Sequence, residues 1–348
     1  FIFVLQDVRG RYLSEGEFAT MRPHNPNKKS SRDIDESTDT YDTIEWLITH
    51  IRNHNNRAGL WGVSYPGFYS AAGMIDSHPA LKAVSPQAPV ANFYGDDCFH
   101  NGAFMMAHVF RFYGFFKKRG EPSPERVKPF EYKTPDGYQF FLESGTLKNL
   151  DRKYFQGEHP YWNELKEHPC NDEFWNARNI LPHLNNVRAA VMVVGGWYDA
   201  EDLFGPLHTY WEVERRNPGI SNVLVMGPWI HGGWVGGTGE SIGDAEFGFK
   251  TSEYYQKEML LPFFKHYLKE PEGAYSMPEA TVFETGANRW RKFDSWPPKD
   301  AGRARLYLQS GGKLGFNSPE GKDQDFDSYI SDPSKPVPFT ELTATGMP

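Results

Sequence analysis

Cysteine is nearly missing from this chain of 348 residues, which holds only Cys98 and Cys170. Two thiols make one bridge at most, so a disulfide-stapled scaffold is excluded and the redox compartment stays open. Long apolar runs are missing too. None approaches the roughly 20 residues that a membrane-spanning helix needs, which argues against a membrane partner. There is no long basic run, and the net charge is −8, so the chain has no electrostatic footprint for nucleic acid. The opening Phe1-Ile2-Phe3-Val4-Leu5-Gln6-Asp7 has neither an initiator Met nor a signal-peptide pattern. The closing Gly346-Met347-Pro348 ends no recognisable element. The expectation is an interior piece of a longer protein, with its targeting information elsewhere. No internal repeat is apparent.

What is present is a rhythm of short apolar runs alternating with helical patterns, as in a largely parallel sheet covered by helices. Phe1 to Leu5 reads as a first, buried strand. A helix over Asp39 to Arg52 follows, with Tyr41, Ile44, Trp46, Leu47, Ile48 and Ile51 mostly on one face. Ala58 to Val63 is a strand, Tyr69 to Ile75 begins a helix, and Lys82 to Ser85 is a third strand. From Cys98 to Val187 the strand rhythm stops. That stretch is rich in aromatic residues, broken by Pro and Gly, and reads as a mostly helical insertion. Strands resume at Ala189 to Val194 and Asn222 to Gly227, with a helix from Leu207 to Arg216 between them. Glu253 to Lys269 reads as an amphipathic helix with Tyr254, Leu261, Phe264 and Leu268 inward. Beyond Pro271, Thr281 to Thr285 and Arg305 to Gln309 look like strands of an all-β module, which puts a boundary near residue 272.

Gly62-Val63-Ser64-Tyr65-Pro66-Gly67 lies between a strand and a helix, where a nucleophile elbow belongs. Such a turn lifts a serine hydroxyl above the sheet edge and aims the next backbone N–H at a developing oxyanion. The pattern departs from G-x-S-x-G, since Pro66 stands where the second Gly belongs. Pro is tolerated there because the first helical turn needs no N–H donor. Alone, the segment is equally an ordinary Gly-rich turn. Chain order decides between the two. A hydrolase triad of this kind runs Ser, acid, His, each just past a sheet strand. Asp199 follows the strand ending at Val194, and His231 follows the strand ending at Gly227. Both stand at strand C-termini, where ligands gather in open α/β sheets. His50, His54 and His208 lie in helices or loops and read as solvated or packing residues.

Together, Gln6-Asp7-Val8-Arg9-Gly10, the Gly62 to Gly67 elbow, Gly196-Trp197-Tyr198-Asp199 and Gly227-Pro228-Trp229-Ile230-His231 resemble the CocE/NonD hydrolases. That group takes in X-Pro dipeptidyl-peptidases (S15-like), cocaine esterases, α-amino-acid ester hydrolases and glutaryl-7-aminocephalosporanic acid acylases. The resemblance implies an α/β-hydrolase fold with a helical cap insertion and the start of a C-terminal β jelly-roll domain. The implied division is residues 1–97 and 188–271 for the hydrolase core, 98–187 for the cap and 272–348 for the jelly roll. It implies Ser64, Asp199 and His231 as a catalytic triad and the backbone N–H of Tyr65 as an oxyanion donor. The family's second donor, a tyrosine hydroxyl upstream of the QDxRG strand, has no counterpart in this sequence. Motif matching to the α-amino-acid ester hydrolases further implies Asp97, Glu201 and Asp202 as a carboxylate cluster for a substrate α-ammonium group. The physics agrees, since a cationic amine near the acyl carbon needs fixed negative charge within a few ångströms. A solvated acidic loop or a Ca²⁺ site are the other readings of those carboxylates.

The function expected from all this is a serine hydrolase cleaving esters or amides of α-amino acids, including β-lactam antibiotics with such side chains. An X-Pro dipeptidyl-peptidase or a glutaryl acylase of the same family is the alternative, and a catalytically dead binding module the alternative from another class. No cofactor and no metal are expected. The partner is a small-molecule ester or amide, with a homo-oligomer left open. A periplasmic or secreted location is implied by the resemblance alone.

Overall fold

The computed structural model describes the chain except residues 115, 117–120, 274, 320–327, 339 and 346–348, so the closing Gly346-Met347-Pro348 lies outside the described residues. One six-stranded sheet organises it: β1 (Ala58–Val63), β2 (Leu81–Gln87), β3 (Ala190–Gly196), β4 (Asn222–Gly227), β5 (Ala280–Glu284) and β6 (Arg289–Phe293). They stand side by side in chain order, the first five parallel and β6 antiparallel to β5. Parallel strands need crossover elements, and the helices supply them. α1 (Glu36–His50) precedes β1, and between the strands lie α2 (Tyr65–Gly73), α3 (Phe204–Arg216), α4 (Thr251–Tyr255) and α5 (Leu261–Leu268).

The period-2 alternation of the strands sends side chains to two cores. Val191, Val193, Leu224 and Met226 pack with Phe68, Ala71, Tyr210 and Val213 on one face. Met192, Val194, Val223 and Val225 pack with Tyr255, Met259 and Phe263 on the other. The central strands β2 to β5 are therefore buried on both sides, which explains why they read as continuous apolar runs. The described residues of 98–187 form short helices, a two-residue β ladder and loops around a knot of aromatic rings. Phe110 is its hub, within 6.2 Å, ring centre to ring centre, of Phe130, Phe141, Phe155 and Trp162.

Three expectations need correction. Phe1 to Leu5 is not a buried strand: it pairs with nothing in the sheet, and Leu5 is 99% exposed. β1, the strand it would flank, forms the sheet edge. Thr281 to Glu284 does not start an all-β module but belongs to β5, which pairs with β4 inside the central sheet, so the sheet continues past residue 272. Past β6, the all-β reading rests on a two-stranded ladder, Tyr307–Gln309 with Lys313–Gly315. In the helical segment after residue 250, Tyr254, Phe264 and Leu268 pack against the core as expected, but Tyr255, Met259 and Phe263 are its most buried residues and Leu261 is half exposed. The two cysteines are unbridged, Cys98 buried and Cys170 exposed.

Candidate functional site

The elbow follows from close packing at the end of β1. α2 starts directly at Tyr65 rather than at Tyr69, with Pro66 in its first turn. Ser64 joins strand to helix at φ +69°, a left-handed conformation costly for a residue with a Cβ and typical of strained functional turns. Two glycines make that turn fit. A Cβ at Gly62 would lie 2.5 Å from Pro66, and one at Gly67 would lie 2.6 Å from the Gln87 carbonyl oxygen. The Ser64 N–H donates to the Gln87 carbonyl at 2.9 Å, tying the turn to the neighbouring strand. Tyr65 points its ring into the core, where its hydroxyl accepts the Met21 N–H at 2.5 Å. Burial raises the Tyr65 phenol well above its ordinary range, and no negative charge develops there. What Tyr65 offers the site is the backbone N–H of the first helical residue.

Asp199 sits in the turn after β3, its side chain fully buried. One carboxylate oxygen accepts the backbone N–H groups of Glu201 (2.9 Å) and Asp202 (2.8 Å). The other meets Nδ1 of His231 at 2.9 Å. The backbone thus fixes the carboxylate, and the carboxylate fixes the imidazole. Asp202 Oδ2 lies 3.8 Å from the same nitrogen, beyond hydrogen-bond length. The loop carrying His231 is itself pinned by tryptophans: Trp229 donates to Thr251 and Trp234 to the side-chain oxygen of Gln87, both at 2.8 Å. Gly232 packs toward Val63, so this loop lies over the end of β1 beside the elbow. Burial pulls the His231 pKa down, but the Asp199 hydrogen bond and the charges of Asp199, Glu201 and Asp97 outweigh it. The net result is about 8.

The three carboxylates expected to cluster do so. Asp97 comes from a π-helical turn, Tyr94–Cys98, at the start of the crossover from β2 to β3. Asp97 and Asp202 are at most 1% exposed, and none of their four carboxylate oxygens has a hydrogen-bond partner. Glu201 reaches between two imidazoles, its Oε2 3.8 Å from His231 Nε2 and its Oε1 3.4 Å from His108 Nε2. Burial first, then the charge of Asp97, raises the pKa values of Glu201 and Asp202, that of Asp202 strongly. Asp96, the neighbour of Asp97, accepts the N–H groups of Ala91 and Asn92, and burial pushes it up to about 8. Buried carboxyl groups without donors of their own are stable only when protonated or when they meet a cation.

His108 is the residue that the sequence did not announce. It lies on the cap helix Met106–Tyr113, its ring stacked on Phe112, with Nε2 3.7 Å from Asp97 Oδ1. No spacing motif links it to the other members, because only the folding of the cap over the sheet brings it there.

Residues 1–233 match the X-Pro dipeptidyl-peptidase (S15) family. The chain is 25% identical to the cocaine esterase of Rhodococcus sp. (strain MB1 Bresler) over 96% of its own length and 58% of the esterase. Among solved structures, it resembles an aminopeptidase from a marine sediment Thaumarchaeota archaeon, with TM-score 0.86 and 34% identity. That likeness covers 97% of this chain and 54% of the aminopeptidase. An α-amino acid ester hydrolase gives TM-score 0.86 at 33% identity, over 96% of this chain and 55% of that one. The chain thus spans little more than half the length of these relatives. Among the described residues, no helix is long and apolar enough to cross a membrane.

Proposed function

The chain belongs to the X-Pro dipeptidyl-peptidase (S15) family, and from that premise we propose that it is a serine hydrolase of α-amino-acid esters and amides. Ser64 is the nucleophile, His231 the general base and Asp199 the group that orients it. His231 takes the Ser64 proton as the hydroxyl oxygen attacks the acyl carbon, and the tetrahedral oxyanion forms against the N–H of Tyr65. The imidazolium then returns the proton to the departing alcohol or amine. Water, deprotonated by the same imidazole, releases the acyl group from Ser64. Asp97, Glu201 and Asp202 hold the substrate's α-ammonium. β-Lactam antibiotics with an α-amino acyl side chain fall within this substrate class.

The observation that carries this reading is the pair of buried, unpartnered carboxylates, Asp97 and Asp202, beside the His231–Asp199 pair. The same pocket disfavours a glutaryl acylase, because an anionic acyl chain would meet like charge there. The archaeal aminopeptidase supports a second reading, removal of N-terminal residues from peptides, since its substrates also present a free amine. Comparing kcat/KM for phenylglycine methyl ester and its desamino analogue, methyl phenylacetate, tests the pocket. The amino ester is expected to win by about 10²-fold, roughly 2.7 kcal/mol, because its loss leaves buried carboxylates unpaired. Equal values would remove the ammonium role. Amino-acid and Xaa-Pro p-nitroanilides separate esterase from peptidase.

A further inference from the structure

We propose that Asp97, His108 and Glu201 form a divalent transition-metal site of the Zn²⁺ type within the anionic pocket, and that the ion shuts the pocket to amines. His108 Nε2 is 3.7 Å from Asp97 Oδ1 and 3.4 Å from Glu201 Oε1. The geometry makes neither contact a hydrogen bond, and His108 Nε2 and both Asp97 oxygens lack any such partner. Yet these donor atoms, one from each residue, lie within 4.8 Å of one another. A tetrahedral Zn²⁺ with ligands about 2.0–2.1 Å away holds them about 3.3–3.4 Å apart. The two His108 distances are close to that spacing and the third pair lies within 4.8 Å, so small side-chain rotations bring all three atoms onto one ion, and one imidazole with two carboxylates is a donor set that zinc accepts. The fourth position is left for water.

A second triplet, Glu201, Asp202 and His231, shares one member with the first. It is the poorer site, because His231 is already engaged by Asp199 through Nδ1 at 2.9 Å. His108 has no such commitment at Nε2, and the aromatic face of Phe112 holds its ring in place. The desolvation cost of Asp97 is already met by the fold, so an ion gains its full attraction. Ligation by Asp97 and Glu201 takes up the carboxylates that an α-ammonium needs. The ion thus competes with amino substrates, a consequence that rests on the ammonium reading above, whereas the site itself does not.

The test uses Co²⁺, whose visible absorption reports its ligand geometry, together with calorimetric titration by Zn²⁺, on the full chain at pH 8. One equivalent is expected to bind, with a tetrahedral or five-coordinate cobalt spectrum. His108→Ala should weaken binding at least tenfold, as should Asp97→Asn, which keeps the side chain's volume if the first variant folds poorly. Ser64→Ala should bind as the parent does, which separates failure of the metal site from failure of the hydrolase reading. Absence of binding at millimolar Co²⁺ would overturn the proposal. So would undiminished binding by both ligand variants, or a loss confined to His231→Asn, which would put the ion on the triad side.

Discussion

Asp199 lies 2.9 Å from Nδ1 of His231, while its other oxygen is held by two backbone N–H groups. Asp202, three residues on, faces the same nitrogen from 3.8 Å and has no donor of its own. The two acids are thus expected to act differently. Asp199→Asn should lower kcat by about 10⁴-fold, because an amide favours the wrong imidazole tautomer. Asp202→Asn should act mainly on KM for amino esters. Steady-state kinetics on phenylglycine methyl ester decides, and a large kcat loss at Asp202 would reverse the roles.

Ser64→Ala should reduce hydrolysis of a p-nitrophenyl ester on the order of 10³-fold or more, with the circular dichroism spectrum unchanged. It should also abolish labelling by a fluorophosphonate, which reacts only with an activated serine. Retention of a tenth of the parent activity would remove Ser64 from the mechanism. Labelling of the parent chain, in turn, would exclude a dead binding module.

The elbow and the His231–Asp199 pair are legible because each follows an apolar strand, and the strands that carry the pair, β3 and β4, are buried on both faces. That same burial misled the reading of Thr281 to Thr285, since a central sheet strand and a jelly-roll strand look alike as a short, largely apolar run. After residue 250, periodicity placed Tyr254, Phe264 and Leu268 against the core correctly but not Leu261, and it missed the most deeply buried residues. The π-helical turn Gln256–Leu260 inserts extra residues into the repeat and brings Tyr255, Met259 and Phe263 inward. Phe1 to Leu5 is apolar enough for a strand, but composition cannot say whether a partner stands beside it. The start of α1 was readable in principle: Asp35 and Thr38 form a capping box, a pattern that the apolar periodicity beginning further on obscured. His108 depends wholly on tertiary placement.

Asp35 supports a stability prediction. It is 1% exposed, caps α1 through the N–H groups of Ser37 and Thr38, and pairs with Lys28 at 2.7 Å and His24 at 3.2 Å. Burial alone would raise its pKa, but these partners, with the Asn25 N–H, hold it far below the usual carboxylate range. A depressed folded-state pKa stabilises the fold above the unfolded value of about 3.9 and loses that effect as pH falls below it. Asp35→Ala should therefore cost about 2–4 kcal/mol at pH 7, from a lost cap and an unpaired Lys28. The difference from the parent should narrow below about pH 4. Urea unfolding at pH 7 and pH 3.5 checks both, and an equal penalty at the two pH values would contradict the charge argument.

The pH dependence of turnover reports on His231. As a general base it works only when neutral, and its environment holds the imidazole at about 8. With an uncharged ester and a chelator present, kcat/KM should rise about tenfold per pH unit below that value and level off above it. The cause is the surrounding negative charge, so Glu201→Gln, which removes one carboxylate facing Nε2, should move the inflection to lower pH. Asp199→Asn should move it further, since the Asp199 hydrogen bond is the largest of the raising influences. With an amino ester the profile should also fall at high pH, as the substrate amine loses the charge that the pocket binds. An inflection at or below the free imidazole value of about 6.5 would mean that the carboxylates are neutral or turned away from His231 when the enzyme works.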